Sequence, residues 1–598
     1  MHDLLRSLAL FLIGDESTFV GNGKTCTTNP LTKLRRLSIS NVGEKLEIPD
    51  AVKKQKCLRT LIVWNSPRTK MVEHELGRLG QLRVLDLNDA GLESLPDSVG
   101  NLLHLRYLDL DRTNIKKLPE SIGRLQNLQT LNLSGCKSLH TLPKAITSLC
   151  KLRRLGLDGT PLSHLPRGIG KLGDLNDLRG FVVGDDGGEQ DQGCDLEELQ
   201  SLSQLRVLRI YRLERSRKGA SALANICFLR MLSLTWVSPE AENNQPRCGQ
   251  DAIQNANKIC NDLSPPSSIE NLQVYNFFGS GFPGWLMSSS LDASFPHLRY
   301  LHLVNCKSCP QLPPLGLLRQ LIFLRISGAD AIITIGPELF GHHASAITAF
   351  PRLEWLQFWH MRNWKEWSLG VVGDVGDEIR GAPKLLPHLE YLYLHNCPEL
   401  IALPEGLSHF TNLQRLRIVG AHNLREIKNL PSVTDMLHIE RNLRLERVSN
   451  FPSLKSLQIL NCPRLQIVEN LDKLQFLGLT RPSAVQGTSE IPSLECLLDV
   501  SNNFDQQTEQ LPQWLLDLLG QHQNASTAVQ NLKKFRLKCS SPLFESFLKD
   551  APNWPIIQCI PEVWIEDVDG PSWIRYTKGP PSTFQTNVQP QEFASDLS

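Results

Sequence analysis

An α/β solenoid of repeated strand-and-turn units is the fold this sequence predicts, and two observations predict it. The chain has 598 residues, far more than the roughly 100 to 200 of a single-core domain, so it holds several domains or one repeat array. The pattern Leu-x-x-Leu-x-Leu then begins at Leu34, Leu58, Leu82, Leu105, Leu128 and Leu152, at spacings of 24, 24, 23, 23 and 24 residues. It returns at Leu205, Leu229, Ile269, Leu298, Leu321, Leu353, Leu389, Leu413, Leu454, Leu474 and Leu532, with weaker copies near Thr434, Leu494 and Ile560, about 20 units in all. Such a period specifies a leucine-rich-repeat solenoid, a curved horseshoe with a parallel strand ladder on its concave face.

Each element of the unit follows from its residues. Leu-x-Leu is a short strand with alternate side chains buried, and no single unit can cover its own apolar face, so stability must come from neighbours stacked roughly 4.8 Å apart. After the strand the chain turns, and the residue three beyond the last core position is Ala90, Thr113, Cys136, Thr160, Cys306, Cys397 or Cys462, groups small enough to sit inside the turn. The return leg of the early units reads Leu95-Pro96, Leu118-Pro119, Leu142-Pro143 and Leu165-Pro166, each with an apolar residue three positions on. Proline lacks an amide donor and begins a short helical or irregular segment there.

Composition removes several function classes. A hydrophobic content of 41%, a charged content of 21% and a formal net charge of +1 describe a folded protein without a global field for nucleic acid. The fifteen cysteines show no repeating pair spacing, which argues for thiols and a cytoplasmic or nuclear setting. Cys306 and Cys309 form a Cys-x-x-Cys, but no second pair stands at zinc-site spacing. Arg6 precedes the apolar run Leu8 to Ile13 without a cleavage site, and no apolar run reaches the length of a membrane span. Gly21-Asn22-Gly23-Lys24-Thr25 ends like a phosphate loop, yet Thr18 stands where the motif needs glycine. No hydrolase elbow or zincin motif is present, so an enzyme is not expected.

The regular repeats span 31–176, a polar, Gly-rich loop insertion is expected over 177–200, irregular repeats with insertions fill 201–577, and 578–598 reads as a disordered tail. Outward positions on the ladder lie two, four and six residues after each first leucine. In the later repeats these are Tyr300, Phe323, Arg325, Trp355, Trp359, Tyr391, Tyr393, Arg415 and Arg417, with His302 and His395 among them, a composition typical of protein recognition. The segment 33–83 carries twelve Lys or Arg against five acids, and its cations Lys33, Arg35, Arg36, Lys53, Lys54, Lys56 and Arg59 form a candidate docking patch.

Leu105-Arg106-Tyr107-Leu108-Asp109-Leu110, Ile115 to Ile122 and Leu128-Gln129-Thr130-Leu131-Asn132-Leu133 closely resemble plant intracellular immune receptors of the nucleotide-binding leucine-rich-repeat class. Gly180-Phe181-Val182-Val183-Gly184 resembles the phrase after the regular repeats in the coiled-coil branch, and Cys309 to Gly316 and Phe350 to Glu354 resemble its later repeats. Met1-His2-Asp3 looks like the motif closing the nucleotide-binding module, so 1–30 reads as the end of a winged helix plus linker. In the family that histidine contacts bound ADP. The rest of the module is not in this sequence, so ADP or ATP is implied only for a longer product, and no cofactor is expected here. The gene start is then an internal methionine, or the protein is a repeat-only paralogue. The resemblance implies recognition of a pathogen effector or a guarded host protein, with the docking patch meeting a nucleotide-binding module, here in trans. The alternative is an intracellular signalling scaffold similar to Ras-associated leucine-rich-repeat proteins, which lack Met1-His2-Asp3.

Overall fold

The computed structural model describes residues 17–21, 24–25, 34–40, 45–46, 57–64, 70–71, 79–184, 193–217, 222–237, 249–341, 348–369, 385–480, 491, 493–501, 511, 515–516, 519 and 532–588. His2, Lys33, Lys53, Lys54 and Lys56 lie outside them. The contacts divide the chain into two units, one of Met1–Trp285 with Ala293–Leu298 and one of Leu286–Asp292 with Arg299–Ser598.

In the first unit the strands Ser17–Gly21, Arg36–Ser40, Thr60–Trp64, Val84–Asp86, Tyr107–Asp109, Thr130–Asn132, Arg154–Gly156, Asp177–Val182, Val207–Tyr211, Met231–Thr235 and Asn271–Tyr275 pair in parallel, each with the next. Register puts leucine beside leucine, with Leu85, Leu108, Leu131, Leu155, Leu178 and Leu208 in one row, all fully buried. Burying one such side chain contributes about 1.5–3 kcal/mol, so the row is the unit's spine. Opposite it, Pro96, Pro119 and Pro143 precede the 3-10 turns Asp97–Asn101, Glu120–Arg124 and Lys144–Ser148, which press Val99, Ile122 and Ile146 into the same core.

The second unit repeats the plan with Tyr300–Val304, Phe323–Ser327, Trp355–Trp359, Tyr391–His395, Arg415–Val419, Met436–Glu440, Ser456–Leu460, Phe476–Thr480, Cys496–Ser501, Lys534–Cys539 and Glu562–Asp567. A smaller parallel ladder, Glu426–Lys428, Arg447–Ser449 and Ile467–Glu469, lies on the return legs, where the repeats shorten. The turn after a ladder strand runs through a left-handed residue eight positions into the repeat: Asp89, Arg112, Gly135 and Gly159 in the first unit, Asn305, Gly328, His360, Asn396, Gly420, Arg441 and Asn461 in the second. The thiols and hydroxyl beyond it cap the strand ends, Thr113 Oγ1 and Cys136 Sγ both donating to the Leu110 carbonyl, at 2.8 and 3.0 Å.

Three segments differ from the sequence expectation. Residues 177–200 are mostly repeat: Asp177–Val182 is a ladder strand and Leu196–Ser201 a 3-10 turn, and only 185–192 lies outside the described residues. The strand carries one extra residue, Gly180, at a register shift between Arg179 and Phe181, so phenylalanine takes the place of the third leucine and the motif is hidden. Gly180 has φ +106° and packs on Leu157, where a Cβ would come within 2.6 Å. Ser17–Gly21, expected within a linker, is the first ladder strand and pairs with Lys24–Thr25. The expected tail contains Thr583–Thr586, which pairs antiparallel with Trp573–Thr577, itself antiparallel to Glu562–Asp567.

Candidate recognition face on the strand ladder

Parallel register sorts the outward side chains of the second unit into rows. The first row is Tyr300, Phe323, Trp355, Tyr391 and Arg415, the middle row His302, Arg325, Gln357, Tyr393 and Arg417, and the third Val304, Ser327, Trp359, His395 and Val419. Each predicted site residue of the later repeats therefore lies on one face. Their exposures differ. Tyr300 and Trp355 are 41% and 36% exposed, whereas Tyr393, read as outward and available, is only 8% exposed because its own row and the third row close over it.

Packing within the face is continuous. Trp355 and Tyr391 lie 4.6 Å apart between ring centres, Trp359 and Tyr393 5.1 Å, and Trp359 and His395 4.7 Å. The Arg325 guanidinium lies over the Trp359 ring at 4.0 Å and that of Arg417 over Tyr393 at 5.1 Å. Arg415 is held differently, bonded to Asp435 through Nε. Electrostatics follow from burial. Desolvation, then the Arg325 cation, pulls His302 down to about 4, and desolvation followed by neighbouring cations lowers His395, so both rings are neutral near pH 7. Desolvation raises the Tyr391 and Tyr393 phenols against the opposing pull of Arg417.

The ladder face of the first unit is polar and joined by hydrogen bonds among its own side chains. Tyr107 donates to Asp109 at 2.7 Å, Asn132 donates to the same carboxylate at 3.0 Å, and Asp158 takes both Arg209, at 2.9 Å, and Tyr211, at 3.1 Å. Of the candidate docking patch, Arg35, Arg36 and Arg59 are exposed. Sequence reasoning missed His360, whose ring lies 5.2 Å from His395 and meets Asn396 at 2.9 Å, because a turn residue carries no period-two signal. It also missed Trp564, flanked by Arg536 and Arg575 at 5.4 and 5.5 Å. Among the described residues no group of three or more His, Cys, Asp or Glu could hold a metal, and no helix is long and apolar enough to cross a membrane.

The buried leucine rows and stacked parallel strands define a leucine-rich-repeat array, and residues 82–367 match the family described as leucine-rich repeat region. The chain is 34% identical over 392 residues to the putative disease resistance protein RGA4 of Solanum bulbocastanum, covering 64% of this chain and 36% of that one. It is 31% identical over 279 residues to the putative disease resistance RPP13-like protein 1 of Arabidopsis thaliana, covering 41% of this chain and 26% of the relative. The solved leucine-rich-repeat protein LIC12759 of Leptospira interrogans is similar at 19% identity and a TM-score of 0.43, over 78% of this chain and 96% of that one. The chain is thus a leucine-rich-repeat array similar to disease resistance proteins of plants, and spans about a quarter to a third of the length of these curated relatives.

Proposed function

We propose that this chain is a non-catalytic protein-recognition array of a plant immune receptor of the coiled-coil branch, sensing a pathogen effector or an effector-modified host protein in the cytoplasm. The observation that carries the reading is the run of aromatic rings and arginines over four successive strands from Phe323 to Arg417, packed edge to edge with Trp355 at its exposed rim. Large rigid side chains lose little conformational freedom on contact and bury much area, which is why tryptophan, tyrosine and arginine dominate binding energetics. The relatives' names place them in disease resistance, and a protein partner suits an extended face better than a small molecule does.

The test is a binding panel of secreted pathogen proteins against the purified chain, followed by the double variant Trp355→Ala, Tyr391→Ala. Loss of two such side chains at a contact centre costs on the order of 2–4 kcal/mol, so a true ligand should bind at least thirtyfold more weakly. Ligands that bind the folded double variant as tightly as the parent would sink the reading.

A further inference from the structure

Arg154, Arg179, Arg209, Arg415 and Arg536, all on ladder strands, each meet a carboxylate at 2.5 to 3.2 Å. Arg325 and Arg417 meet none among the described residues. Their guanidinium groups lie over Trp359 and Tyr393 instead, and the Nε of each is buried with no acceptor, as is the Trp359 indole N–H beside them. A ring face offsets part of the cost of burying a cation but accepts no in-plane N–H, so each guanidinium keeps an unused Nε–H on its donor edge, Arg417 being bonded as well to the Tyr391 phenol. That edge matches a carboxylate in a bidentate fork.

Resting on the recognition reading above, we propose that the face takes an acidic segment of its partner protein, with carboxylates received by Arg325 and Arg417 on either side of the packed Trp359 and Tyr393 pair. Charge complementarity selects this occupant. Between the two arginines the middle row holds only Gln357 and Tyr393, so nothing on it competes for the cations. His302 and His395, both lowered, add no further positive charge near pH 7, so the two arginines are the cations that an acidic segment meets in these rows. Spacing adds a restriction. The two arginine backbones are three strand steps apart, about 14 Å, and both side chains lean toward the strands between them. An extended segment advances about 3.3 Å per residue, so the paired acids stand two to four residues apart, and an apolar side chain between them meets Trp355 and Tyr391.

The experiment is selection of a random twelve-residue display library on the full-length chain, in parallel with Arg325→Gln, Arg417→Gln and Trp355→Ala, Tyr391→Ala chains, all confirmed folded by thermal melting. The expected result is enrichment of Asp and Glu pairs two to four residues apart on the parent, with the selected peptides losing at least tenfold in affinity on the arginine variant and when their acids become amides. Peptides that lack acids yet lose affinity on the Trp355 and Tyr391 variant would overturn the acidic assignment and leave the recognition face standing. Acidic peptides that bind the arginine variant undiminished would overturn it by placing their site elsewhere. Absence of any peptide sensitive to Trp355 and Tyr391 would overturn both readings.

Discussion

His302 lies on the ladder face with its ring stacked on Phe323 at 5.0 Å, and its folded pKa is about 4 against an ordinary 6.5. Above pH 6.5 the ring is neutral in both folded and unfolded chains, so it does not alter stability there. As pH falls through 6.5 the unfolded chain takes up a proton that the folded chain refuses until about pH 4, so stability declines across that window. The urea midpoint should therefore drop between pH 7.5 and pH 5, and His302→Gln should remove part of the drop; an identical pH profile in the variant would show that the group is not responsible. At this scale the sequence was informative about direction and poor about surroundings. Alternation alone puts Tyr300, Arg325 and Trp359 on one face. It cannot show that Tyr393 is covered or that Arg325 reaches a ring 34 positions away, because repeats of unequal length set those contacts.

Among the elements, the small ladder of Glu426–Lys428, Arg447–Ser449 and Ile467–Glu469 is closed at one end by an asparagine row. Asn450 donates to Asn429 and Asn470 to Asn450, each at 2.6 Å, and all three residues are left-handed, with φ of 57°, 63° and 57°. Asparagine adopts that backbone at less cost than alanine does, and its amide joins neighbouring repeats. Asn450→Ala should cost about 1–2 kcal/mol, with Asn450→Gly recovering more than half by relieving the backbone while still lacking the amide. Equal losses in chemical denaturation of the two variants would put the whole effect in the hydrogen bonds. Three-residue strands with polar ends have no period long enough to read, so this ladder was invisible in the sequence. The repeat at Leu175 was hidden for a different reason, a single inserted glycine that breaks Leu-x-x-Leu-x-Leu while leaving its burial intact.

For the molecule as a whole, stability should be a sum of local terms, because among the described residues each ladder strand pairs with its neighbours in the array. Leu131 tests this. It is fully buried between Leu108 and Leu155, and replacing it with alanine removes three carbons from a row that cannot slide to refill the space without breaking register on both sides. The cost should be about 2–5 kcal/mol. In a single-core domain that loss would speed hydrogen exchange at every amide that opens by global unfolding. Here amides in Tyr107–Asp109, Thr130–Asn132 and Arg154–Gly156 should exchange faster by about thirtyfold or more, while those in Tyr391–His395 and Arg415–Val419 keep their parental rates. Uniform acceleration along the chain in mass-resolved exchange would mean that the repeats unfold as one cooperative body, and that a defect in the early repeats destabilises the aromatic face directly.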